Sequence, residues 1–173
     1  MSSIHFWRWA TLTSILASAT LIAAIVSLGL VQSADTQTGG AVTQVKTVSS
    51  SAEALINSET LVNLPGAFAN VTVPAGEEAL IVARFTAEAR CLTPEVSAVC
   101  LLGILIDGKL LSPGEAVFDE ASATHGLRFM ASHEASLVVG PGTHQVRVKW
   151  RVDEANTDFS MFSWHLTVMR SRK

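Results

Sequence analysis

The hydrophobic pattern changes character along the chain. Residues 11–31 carry no charge and consist of Leu, Ile, Val and Ala with Thr, Ser and Gly29 between them. From residue 60 onward, apolar residues come in short runs or alternate with polar ones. Alternation with period two sends successive side chains to opposite faces of a strand. In residues 80–91, Ile81, Ala83, Phe85, Ala87 and Ala89 share one face, and Arg84, Thr86, Glu88 and Arg90 the other. In residues 144–152, Val146, Val148, Trp150 and Val152 point inward, and Gln145, Arg147, Lys149 and Arg151 outward. Phe162, Trp164, Leu166 and Val168 share a face in the last apolar run. Residues 99–106 are apolar on both faces, which predicts a central strand, turned by Asp107-Gly108-Lys109 into Leu110-Leu111. Residues 42–51, rich in Thr, Val and Ser, read as a first strand, and residues 52–57 as a helical turn.

Turn signals punctuate the pattern at Pro65-Gly66, Pro74-Ala75-Gly76, Asp107-Gly108, Pro113-Gly114 and Gly140-Pro141-Gly142. Many short strands with such breaks predict an all-β sandwich or barrel, here of about eight to ten strands. No stretch after residue 60 has the period of an amphipathic helix.

The apolar segment sets the compartment. As a helix, residues 11–31 would run roughly 31 Å at about 1.5 Å per residue, which matches a bilayer core of ~30 Å. Trp7 and Trp9 sit where an interfacial aromatic belt would lie, and Arg8 favours a cytoplasmic N-terminus. Two fates fit. Residues 1–32 are either an uncleaved signal-anchor helix or a signal peptide cut near Val31-Gln32-Ser33. A linker follows over residues 33–41 and a β-sandwich domain over 42–173.

Composition narrows the partners. Charged residues make up 16% of the 173 residues, against about 25% in a soluble protein, because none falls between Arg8 and Asp35. Setting aside Arg8 from the 12 Lys and Arg leaves the rest of the chain, with its 15 acids, at −4. That balance gives no reason to expect nucleic acid as a partner. The only cysteines, Cys91 and Cys100, are expected to pair outside the reducing cytosol. Apolar runs flank both, so they read as facing positions across a hairpin mouth. Two buried thiols are the alternative.

Three stretches carry a resemblance: Val71-Thr72-Val73-Pro74-Ala75-Gly76 leading into the strand at 80–85, Ile104-Leu105-Ile106-Asp107-Gly108, and Gly140-Pro141-Gly142-Thr143-His144 leading into the strand that ends at Trp150. Together they resemble small exported bacterial jelly-roll domains. The last is also similar to a strand of jelly-roll carbohydrate-binding modules. The resemblance covers roughly residues 60–170 and implies an antiparallel jelly-roll-like β-sandwich, a glycan or cell-surface partner, and a structural calcium ion. Tumour-necrosis-factor-like jelly rolls add the expectation of a homo-oligomer.

Candidate sites are few. Asp153, Glu154, Asn156 and Asp158 form the densest oxygen cluster, a calcium loop or else a solvated hairpin loop. Arg147, Lys149 and Arg151 make one basic stripe, and Arg84 and Arg90 another. Were their strands neighbours, a cationic binding face for an acidic partner or polysaccharide would result. His125 and His133 are the histidine pair to compare in space, and His144 and His165 read as ordinary. Trp150 and Trp164 are in phase with core residues. Nucleophile, phosphate-loop, dinucleotide and zincin motifs are missing, so no catalytic residue, metal site or cofactor is assigned. The sequence therefore reads as an extracytoplasmic binding or structural module without catalytic activity. The alternatives are a carbohydrate-binding module or a hydrolase whose site is spatial. Its membrane contact would be the N-terminal helix, if retained.

Overall fold

Side-chain alternation requires two faces, and a chain with many alternating strands buries one face of each sheet against another sheet. The computed structural model describes residues 36–94, 98–120 and 127–173. Residues 1–35, with the apolar segment and the first three residues of the linker, and His125 lie outside the described residues. In the compact unit Gln37–Lys173 the described strands are β1 (Val42–Ser50), β2 (Ala54–Ile56), β3 (Val62–Val73), β4 (Ala79–Leu92), β5 (Val99–Ile106), β6 (Lys109–Leu110), β7 (Ala116–Glu120), β8 (Phe129–Val139), β9 (Gly142–Val152) and β10 (Asp158–Arg172). Among the described residues no helix is long and apolar enough to cross a membrane. The helical turn expected over residues 52–57 is instead strand β2, which pairs with Phe159, Ser160 and Met161 of β10.

The strands form two antiparallel five-stranded sheets. The first runs β1-β10-β4-β8, with β2 extending the β1 edge along β10. The second runs β3-β9-β5-β6, with β7 beside β6 on the same edge of β5. The buried faces of both sheets contribute to one core. From the first sheet come Ile81, Phe85, Phe159, Met161, Trp164 and Leu166; from the second, Leu102, Ile104, Phe118, Val148 and Trp150. Rings cross between the sheets, with Trp150 to Phe159 at 5.2 Å and Phe85 to Phe118 at 5.8 Å between centroids. The alanines at 83, 87 and 89 are low-volume positions among these rings, the large–small alternation that lets facing layers interdigitate. Each fully buried aromatic contributes roughly 1.5–3 kcal/mol by leaving water.

The predicted faces of β4 and β9 hold along both strands, and β5 lies between β9 and the β6/β7 edge. Phe162 departs from its predicted place. Ala89 faces Met161 and Glu88 faces Ser163, so Phe162 is the extra residue of a β-bulge. Met161 and Trp164 are both buried, three positions apart, a spacing that strict alternation does not allow. The bulge absorbs the mismatch and leaves Phe162 off the core, its ring 3.5 Å from the guanidinium carbon of Arg128 and 5.4 Å from that of Arg90. Pro65-Gly66 likewise does not end a strand. It lies in an irregular stretch inside β3, between the Asn63–Lys149 and Phe68–Arg147 pairs. Gly66 has φ +76, and a Cβ there would sit 3.7 Å from the Trp164 ring.

Cys91 and Cys100 form a disulfide with Cα atoms 5.9 Å apart. They do not face each other across a hairpin, as the flanking runs had predicted. Cys91 is the second-last residue of β4 in the first sheet and Cys100 the second of β5 in the second, so the bond ties one sheet to the other. Both are buried. A buried disulfide fits an oxidising compartment.

Candidate functional site

The outer face of the second sheet is where polar side chains converge. On β9 the outward residues are Gln145, Arg147, Lys149 and Arg151, because Val146, Val148, Trp150 and Val152 take the core. Cross-strand pairing sets their neighbours. Arg147 lies between Phe68 of β3 and Leu105 of β5, and Lys149 between Asn63 and Gly103. The result is a shallow, open groove of about 300 Å³ lined by Asn63, Leu105, Gly108, Gln145, Arg147 and Lys149. Opposite Lys149, Gly103 makes room for the Leu110 side chain, since a Cβ there would come within 2.7 Å of it.

The groove's polar groups are held in place. Arg147 donates from Nε and Nη2 to Gln145 Oε1 at 3.1 and 2.8 Å. Gln145 Nε2 reaches Asn70 Oδ1 at 3.4 Å. The Phe68 ring, 42% exposed, lies 5.1 Å from the Arg147 guanidinium carbon. Among the described residues, neither Arg147 nor Lys149 has a carboxylate partner, whereas Arg151 is paired with Glu115 at 2.7 Å. The groove thus presents two cations without carboxylate partners and two side-chain amides, with the exposed Phe68 ring beside it against Arg147.

One end of the groove is closed by a clasp. Asp107 Oδ1 accepts the Gln145 N–H at 2.8 Å, and Asp107 N–H donates to the Gln145 carbonyl at 3.0 Å. Asp107 Oδ2 meets His144 Nδ1 at 2.7 Å, and His144 Nε2 meets the Gly140 carbonyl at 2.9 Å. The bond from the Gln145 backbone, and then the His144 bond, hold the Asp107 carboxyl below its ordinary range. Burial draws the His144 imidazole down, but the Asp107 and Gly140 bonds outweigh it and its pKa is raised.

The basic residues predicted as one face are divided. Arg84 and Arg90 lie on β4 in the first sheet, and Arg147, Lys149 and Arg151 on β9 in the second. β4 pairs with β10 and β8, and β9 with β3 and β5, so the two stripes point away from opposite sides of the core. Arg84 is bonded to Glu134 at 2.7 Å. Asp153, Glu154, Asn156 and Asp158 lie at the β9–β10 turn, where Asp153 Oδ1 accepts the Val99 N–H at 2.7 Å and Asn156 has φ 66. Among the described residues no three His, Cys, Asp or Glu side chains gather as a metal site would require. His133 is buried in the core face of β8, and burial lowers its pKa. His165 is exposed.

Phe68, Asn63 and Asp107 were not singled out from sequence. A signal for Phe68 existed. In β3, Ala67, Ala69 and Val71 take the inward phase, so a large aromatic between two buried alanines must point to solvent.

No family model matches the chain, and no curated protein matches it. Similar solved structures include the C-terminal domain of EclA, a sugar-binding protein, at 14% identity and TM-score 0.36, covering 80% of this chain and 86% of that one. Another is the C-terminal CBM6 of LamC, a laminarinase from Zobellia galactanivorans, at 12% identity and TM-score 0.31, covering 72% and 99%. A third is VP2 of infectious bursal disease virus, at 11% identity and TM-score 0.39, covering 83% of this chain and 41% of that one. These scores are too low to transfer a fold or a ligand.

Proposed function

We propose that the protein is a non-catalytic, extracytoplasmic binding module whose ligand is an acidic glycan, held on the outer face of the second sheet. The observation that carries this reading is the groove itself. A sugar offers an apolar C–H face and a rim of hydroxyls. Phe68 supplies an exposed ring for the first, and the planar side chains of Asn63, Gln145 and Arg147 supply donors and acceptors for the second. Arg147 and Lys149, without carboxylate partners, favour a ligand bearing carboxylate or sulfate groups. The groove is shallow and open, which suits a chain lying across a sheet better than a small molecule that must be largely enclosed.

The strand orders β1-β10-β4-β8 and β3-β9-β5, with β7 on the far edge of β5, support a jelly roll, in which two Greek keys wrap around each other. Both ring nitrogens of His144 are engaged, so with the clasp closed this residue presents no free lone pair to a substrate. Residues 11–31 are read as a retained anchor that holds the module outside the cytoplasm.

The test is calorimetry of the full chain with an oligogalacturonate and a neutral glucan at low ionic strength. Binding of the acidic chain alone is expected, weakening with salt. Arg147→Ala with Lys149→Ala should abolish it, and Phe68→Ala should weaken it about 3- to 10-fold, the scale of one stacking contact. Absence of binding, or binding indifferent to these substitutions, overturns the reading.

A further inference from the structure

We infer that the groove is assembled by a proton: an imidazolium at His144, clasped between Asp107 and Gly140, holds the β5–β6 turn against β9, and the site loosens when that proton leaves. The inference rests on the glycan reading of the groove and adds its regulation by pH.

The argument begins with donors and acceptors. His144 Nδ1 faces a carboxylate oxygen at 2.7 Å and Nε2 faces a carbonyl oxygen at 2.9 Å. Both partners only accept, and a neutral imidazole carries one N–H. The two bonds coexist only when both nitrogens are protonated. Loss of a proton leaves a lone pair facing an acceptor, and one of the two contacts must open. The ring sits in the fold with 15% of its side chain exposed, so water replaces the lost partner poorly.

The surroundings are simple. Across from His144 on β3 stands Val71, the β8–β9 turn presents the Gly140 carbonyl, and the β5–β6 turn presents Asp107. Asp107 is the ionisable group that bears on the ring. It is also the link to the groove. Its second oxygen holds the Gln145 N–H at 2.8 Å, the Gln145 side chain holds Arg147, and Gly108 of the same turn lines the groove. Asp107 and Gly108 take φ 49 and φ 82, the left-handed pair that a two-residue Asp-Gly hairpin turn favours.

The direction of the switch follows. Asp107 is lowered from 3.8 and His144 raised from 6.5, so both are charged between those values. The clasp is closed through mildly acidic pH and opens as pH rises through the His144 titration.

The experiment uses the full chain in detergent. Imidazole NMR follows His144, amide exchange follows Gln145, and calorimetry follows oligogalacturonate, all from pH 5 to pH 9. Affinity should fall about three- to tenfold across the His144 midpoint, the weight of one hydrogen bond, and Gln145 exchange should quicken over the same range. Asp107→Asn should move the midpoint down toward about 6.5 or below. His144→Gln should flatten both profiles while the protein still folds. Gln145 exchange that stays constant while His144 titrates, or a midpoint unmoved by Asp107→Asn, overturns the inference. If no glycan binds at any pH, the functional reading falls, and exchange and imidazole shifts still decide the clasp.

Discussion

At the scale of single residues, charge and burial pull against each other most clearly at Asp119. Its carboxylate accepts the Cys91 N–H at 2.8 Å while its own residue pairs with Cys100, so it sits beside the disulfide between the two sheets. Burial raises its pKa, and the backbone bonds from Cys91 and Glu120 only partly oppose that. A carboxyl whose pKa is higher folded than unfolded binds a proton more tightly when folded. Its ionised form therefore weighs against the fold at neutral pH, and that cost fades as pH falls through the folded value. Asp119→Asn keeps an acceptor for Cys91 and removes the charge. The melting temperature should rise at pH 7.5, and the gain should shrink as pH approaches 4. A lower melting temperature at neutral pH would show that the charge strengthens the Cys91 bond more than burial penalises it.

Residue-scale features were unevenly legible. The burial of Trp150 and Trp164 could be read from their phase. Phe162 could have been read from the spacing of Phe159, Met161, Trp164 and Leu166, which breaks the period of two and demands a bulge. The Asp107–His144 clasp could not, since its partners are 37 residues apart in the chain.

At the scale of elements, the strands follow from alternation and the turns from Gly and Pro chemistry. What alternation does not give is the partner. Two basic stripes on two alternating strands look the same whether the strands pair or lie on opposite sheets. The cysteines show the same ambiguity, since a short link between two strands makes either a hairpin within a sheet or an arch between sheets. Here it is an arch closed by a disulfide with a sequence separation of 9. Cross-linking a loop of that length should stabilise the fold by roughly 2–3 kcal/mol through the unfolded chain. Replacing Cys91 and Cys100 together by Ser is therefore expected to lower urea stability by about that amount and to leave the folded protein's near-ultraviolet spectrum intact. An unchanged midpoint would mean that the aromatic contacts between the sheets suffice.

At the scale of the whole molecule, the chain joins an apolar N-terminal segment to a sandwich whose groove looks outward. If residues 11–31 are retained, the native protein has the mass of the full chain and partitions with membranes. Loss of about the first 33 or 34 residues, where a small-residue site would place the cut, would overturn the anchor reading and support a cleaved signal peptide.

The sequence by itself determined the all-β class, the faces of β4 and β9 and the central place of β5. These are consequences of local periodicity and composition, which act over a few residues. The tertiary structure decided the sheet to which each strand belongs, the separation of Arg84 and Arg90 from Arg147, Lys149 and Arg151, and the meeting of Asn63, Phe68, Asp107 and Gln145 around one groove. Those depend on which strands pair across long stretches of chain. That choice is made by the fit of whole buried faces around Trp150, Phe159 and Phe85, and no local pattern encodes it.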